Sequence, residues 1–104
     1  MDHVAIVAIV ERGKADGIVK KAIEAGAPGA TIFFGRGSGE HTFAFFRSLE
    51  IESSKEVIVI VTPRERKKPI YDAIVEAGHI HTPGKGIVFS FPVEDVDGLM
   101  KADR

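Results

Sequence analysis

The sequence writes one pattern twice. Residues 4–10 (VAIVAIV) form a short, nearly continuous apolar run, followed by a polar corner, Glu11-Arg12-Gly13, and then by Ala15, Ile18, Val19, Ala22 and Ile23 at helical spacing. Gly26 and a second apolar run, ATIFF from Ala30, complete the unit. The second half has the apolar run VIVIV at 57–61, the polar corner PRERKKP, a stripe of Ile70, Ala73, Ile74 and Ala77, then Gly78 and the run GIVFSF from Gly86. Sliding one half by 51 positions lays Val10 on Val61, Ala22 on Ala73 and Ile23 on Ile74. Short β-branched runs suit strands buried on both faces, and the change to a period near 3.6 marks an amphipathic helix. Gly26 and Gly78 are expected to end the helices, because glycine takes a left-handed conformation without steric cost. Pro69 fits a first helical turn, where its missing N–H is not needed. Two βαβ units in tandem predict an α+β, ferredoxin-like βαββαβ sandwich, and right-handed crossovers put both helices on one face of an antiparallel sheet.

That arrangement leaves the other sheet face bare, yet the strands are apolar on both sides. A homo-oligomer with sheets facing inward is the expected solution. The competing cover, the tail VEDVDGLMKADR, is short and polar. With 104 residues the chain is expected to form one domain over 1–104, of ordinary globular balance at 44% hydrophobic and 28% charged. A net charge of −1 gives no general attraction to nucleic acid or anionic membrane. The absence of cysteine excludes disulfides, thiolate metal sites and cysteine nucleophiles. The start, MDHVAIVAIVERGK, reads as neither a signal peptide nor a membrane span, so a cytoplasmic location is expected. Enzyme readings are thin. No serine–histidine–aspartate arrangement stands out, and an acylphosphatase-type site needs an amide side chain, whereas the chain has neither asparagine nor glutamine. RNA binding on the sheet is disfavoured because the central runs carry no stacking aromatics.

Two glycine corners draw attention. In Pro83-Gly84-Lys85-Gly86, glycines let an anion approach backbone N–H groups and Lys85 adds a charge; proline–glycine before a strand is equally an ordinary turn. The earlier echo, GAPGATIFFGRG, shares the Pro-Gly, which therefore reads as architectural, and leaves Lys85-Gly86 as the distinctive pair. In GRGSG at 35–39, Arg36, Gly37, Ser38 and Gly39 supply a guanidinium fork, a hydroxyl and flexible backbone donors, or else a mobile loop. The following stretch, EHTFAFFRSLEIESSK, is long for a hairpin. Its Phe43, Phe45 and Phe46 suit core or subunit contacts, or a partner-binding surface, and the second arm reads as a strand extension turning at Ser53-Ser54. RERKK at 64–68 places cations at a helix N-terminus, either as a solvated face or beside a bound anion; Arg12 and Lys14 raise the same question. His79 and His81 share a side if extended, and a metal would need a third ligand, such as His41 or one supplied across a trimer axis; otherwise the two are simply exposed.

The order of elements, the TIFFGRGSG exit from the second strand and the PGKGIVFSFPVEDV ending together resemble the P-II nitrogen regulatory proteins and their divergent relatives, over essentially the whole chain. The resemblance implies a homotrimeric, non-enzymatic signalling protein that binds an adenine nucleotide (ATP, ADP or AMP) or a similar small anionic effector between subunits, without a structural metal. The nucleotide-binding positions implied are Thr31, Arg36, Gly37 and Gly39, with Ser38 between, at the first corner, and Gly84, Lys85 and Gly86 at the second, where Gly84-Lys85-Gly86-Ile87 stands in place of the family's glycine–aspartate–glycine and lysine. The loop after the second strand, with Glu40, His41, Phe43, Phe45 and Phe46, would contact a transporter or metabolic enzyme. There are departures. The sole tyrosine, Tyr71, lies in the second helix rather than in that loop. Glu40 and His41 stand where the family offers an arginine and the glutamine that helps to hold magnesium and 2-oxoglutarate. A metal-tolerance trimer of the CutA type, similar in fold, and a ligand-free assembly domain are the alternatives.

Overall fold

The computed structural model describes residues 2–37 and 53–99. Strand β1 (His3–Glu11) leads into helix α1 (Ala15–Glu24), strand β2 (Thr31–Gly37) and strand β3 (Ser53–Pro63). A 3-10 turn (Arg64–Arg66), helix α2 (Lys67–Ala77) and strand β4 (Gly86–Val93) follow. The sheet runs β2, β3, β1, β4, antiparallel at every junction, and the two helices pack against each other. This is the ferredoxin-like arrangement expected from the repeat.

The core is one layer deep. Ile6, Ala8 and Val10 of β1 and Ile58 and Ile60 of β3 point at Ala15, Ile18 and Ala22 of α1 and Ile70 and Ile74 of α2, all buried. Ile23, read as part of the α1 stripe, is instead half exposed. The opposite sheet face has no cover among the described residues. Across it run two rows set by register: Thr31, Val59, Val7 and Phe89, and beside them Phe33, Val57, Ile9 and Ile87. Phe33, Ile87, Phe89 and Phe91 remain 42–55% exposed, with Phe89 and Phe91 stacked at 6.4 Å between ring centroids.

The two helix ends obey one motif in different registers. After α1, Gly26 takes φ +118 and the Ala27 N–H donates back to the Ala22 carbonyl. After α2 the helix runs a residue further. Gly78 keeps a right-handed φ of −88, His79 takes the left-handed turn at φ +51, and the Ile80 N–H donates to the Val75 carbonyl. Gly78 is therefore not the left-handed residue that the sequence suggests. Its glycine serves close packing, since a Cβ there would meet the Ile80 and Ile18 side chains at 3.0 and 3.3 Å. A histidine in left-handed geometry carries a steric cost that glycine avoids. His79→Gly is expected to stabilise the fold by about 0.5–1 kcal/mol, read as a thermal midpoint a few degrees higher.

Candidate functional site

Register gathers the chemistry-bearing corners at one end of the sheet. Gly35 lies opposite Lys55, Lys55 opposite Glu11, and Val10 opposite Gly86. The end of β2, the β1–α1 corner and the Pro83–Gly86 corner thus share that end. The two glycine corners occupy opposite edges, however, separated by three strand spacings, about 14 Å. Within one chain they do not meet. Thr31 stands apart from both, on the open face opposite Val59.

Gly35, Arg36 and Gly37 belong to β2 and pair with Lys55, Ser54 and Ser53. The first half of GRGSG is thus strand rather than loop, and Ser53-Ser54 opens β3 instead of forming a turn. Ser38, Gly39, Glu40, His41, Phe43, Phe45 and Phe46 lie outside the described residues. In the second corner the Thr82 N–H donates to the His79 carbonyl at 2.9 Å and the Lys85 N–H to the Thr82 carbonyl at 3.2 Å, two interlocked turns. Gly84 needs its glycine for φ +84 alone, with open space where a Cβ would sit. Gly86 needs it twice over: φ is +138, and a Cβ would strike the Ile9 carbonyl oxygen and crowd Val10. The scaffold alone accounts for both glycines. Lys85, half-buried between them, is the corner's charged side chain, and the Gly84 and Gly86 N–H groups donate to neither turn.

Several of the other basic groups have local partners. The Glu56 carboxylate accepts the Ala15 N–H at 2.8 Å, placing an internal anion at the start of α1 beside Arg12 and Lys14. Arg12 lies over the Phe34 ring at 5.0 Å; that ring is 67% exposed on the helix side of β2. The sequence signal for Glu56 was slight: a lone acidic residue at the start of an apolar run. The RERKK corner sits at the far end of the sheet, since Pro63 pairs with His3 while Val10 pairs with Gly86, about 24 Å along β1. Its cations do not flank the glycine corners. Arg66 donates to the Gly26 carbonyl at 3.4 Å, serving the end of α1, Lys68 bridges to Asp72 at 3.1 Å, and Lys67 covers the Tyr71 ring at 5.6 Å. Those contacts replace the anion that the misplaced positive charge suggested.

His79 and His81 lie in turns rather than a strand, yet line one surface groove of about 470 Å³ with Asp72, Val75, Glu76 and Thr82. Among the described residues no group of three or more His, Asp or Glu side chains is placed to hold a metal ion. Nor is any described helix long and apolar enough to cross a membrane.

The family model described as nitrogen regulatory protein P-II matches residues 4–102. The chain belongs to the P-II family. Among solved structures it is similar to Arabidopsis thaliana PII bound to citrate, with a TM-score of 0.68 and 20% sequence identity over 88% of this chain and 78% of that one. No curated protein sequence matches it. Membership makes this a P-II-like regulatory protein. The P-II assignment rests on the whole run from β1 to the tail, whereas the structural likeness at this identity speaks for the fold alone.

Proposed function

We propose that this P-II family member assembles as a homotrimer with its sheets inward and binds an adenine nucleotide, or a small anionic effector of similar charge, between neighbouring subunits. The observation that carries the reading is the placement of two glycine corners at one end of the sheet but on opposite edges. A ligand touching both must bridge two chains, the β2 end with Arg36 and Gly37 from one and Gly84, Lys85 and Gly86 from the next. A cyclic assembly supplies that junction once per subunit. The bare apolar face, with Phe89 and Phe91 at its edge, gives the assembly its driving force. β2 ends beside this junction, so an effector bound there is placed to bias what the residues that follow β2 dock on, such as a transporter or metabolic enzyme. Citrate, bound in the Arabidopsis thaliana neighbour, belongs among the effectors to be tried.

Isothermal titration calorimetry of the assembled protein with ATP, ADP, AMP and citrate tests this directly. Saturable heat with at least one nucleotide is expected, at one site per chain. Lys85→Ala should weaken that binding about tenfold or more, the worth of one charge-assisted hydrogen bond. Silence with every nucleotide, or full affinity in the Lys85 variant, would remove the nucleotide from the proposal.

A further inference from the structure

The open face of the sheet changes character at one end. Val7 and Ile9 of β1 and Val57 and Val59 of β3 occupy that face, because Ala8, Val10, Ile58 and Ile60 turn to the helices. The next open-face position on each strand is charged and half-buried: Glu11 on β1, directly opposite Lys55 on β3. On the other side of β1, Lys85 comes just ahead of Gly86, the partner of Val10. Its backbone therefore stands about one strand spacing, roughly 5 Å, from that of Glu11. A carboxylate is flanked by two lysine positions at the glycine-corner end.

Opposite charges facing each other across a ladder ordinarily attract and pair. These do not. Among the described residues, Glu11, Lys55 and Lys85 have no side-chain hydrogen bond or ion pair. Lys55 leans the other way, its Cγ 3.9 Å from where a Cβ on Gly37 would sit. Neither Gly35 nor Gly37 has a positive φ, so neither is there to make a turn. What the two glycines provide is a bare strand end on the open face, over which Lys55 extends toward the β2 edge.

We infer that Glu11 is the built-in counter-charge of the effector junction: its carboxylate competes with an anionic effector for the lysines gathered there. The inference rests on the proposed reading that the Lys85 corner of one chain meets the β2 end of the next. At that meeting, Lys85 of one chain and Lys55 of the next converge, with Glu11 one strand in from Lys85. Like charges so gathered repel unless an anion sits among them, and in the empty protein Glu11 supplies it. An effector with several phosphates meets the same carboxylate as a repulsive neighbour. Affinity is held down, and held down most for the most highly charged effector.

Calorimetry on the full chain with AMP, ADP and ATP, in buffer free of divalent cations, tests this. Glu11→Gln keeps the shape of the side chain and removes its charge. It should bind ADP about fivefold or more tightly than wild type, with a larger gain for ATP than for AMP. Glu24→Gln makes the same change of net charge at the C-terminal end of α1, where Glu24 meets the exposed Lys21 at 3.8 Å, and should keep wild-type affinities. Equal affinities in wild type and Glu11→Gln would overturn the role of Glu11 and leave the effector reading standing. An equal gain in Glu24→Gln would do the same, since total charge rather than position would then be responsible. Silence of both wild type and Glu11→Gln toward every nucleotide would remove the effector reading, and this inference with it.

Discussion

Replacing Gly86 with alanine is expected to cost about 2–5 kcal/mol, a large part of the roughly 5–15 kcal/mol that holds a domain folded. Two terms add. The backbone at φ +138 lies where side chains other than hydrogen are strained, at about 1–2 kcal/mol. A methyl group would also press on the Ile9 carbonyl and on Val10 of β1, backbone that cannot rotate away, and overpacking of this kind costs about 1–3 kcal/mol. Gly84→Ala is the matched control. It carries the positive φ of +84 with nothing within contact, so about 1 kcal/mol is expected. Urea unfolding of both variants measures the gap. Equal costs would show that the approach of β1 is not what demands Gly86, and would return that glycine to the effector side of the argument.

Phe89→Asp should dissolve the proposed trimer. Phe89 lies at the end of the row formed with Val7, Val59 and Thr31 on the uncovered sheet face, and is 42% exposed in the single chain. In the isolated chain the change is mild. Between subunits a carboxylate without a partner costs several kcal/mol for each copy, and a closed ring carries several copies. Sedimentation equilibrium should then report the monomer mass for the variant and the trimer mass for wild type. Phe34→Asp places the same charge on the helix side of the sheet and should leave the mass unchanged. A wild-type protein of monomer mass would defeat the inward-facing sheet altogether, and with it an effector site shared between chains.

The architecture was readable because the repeat combines two signals that do not mimic one another, VAIVAIV and VIVIV against the spaced stripes of α1 and α2. Both faces of the sheet were legible from the same runs: VAIVAIV and VIVIV are apolar at every position, odd and even alike. Reading failed where a residue had more than one physical use. Gly78 looked like the helix-ending glycine, but packing against Ile18 claimed it and passed the turn to His79, a shift that periodicity alone does not reveal. The basic corner at 64–68 looked like an anion trap because its partners, the Gly26 carbonyl, Asp72 and the Tyr71 ring, come from elsewhere in the fold or from later in its own helix. Gly35, Arg36 and Gly37 read as loop because glycine-rich sequence favours turns, whereas pairing with β3 extends the strand through them. At the glycine corners the residue types were evident, but their separation across the sheet emerged only from strand order.

Strand order also sets a timetable for folding. β1 is the first strand made and sits in the middle of the sheet, with His3 against Val93 and Val10 against Gly86. Its second neighbour is β4, the last of the described strands, so closing that pair carries the loop entropy of about 75 intervening residues. Folding dominated by such distant pairings falls toward milliseconds to seconds rather than microseconds. During synthesis the VAIVAIV segment leaves the ribosome long before β4 exists, with apolar side chains on both faces. The interval before β4 arrives is when a nascent chain of this protein most needs dilution or a chaperone.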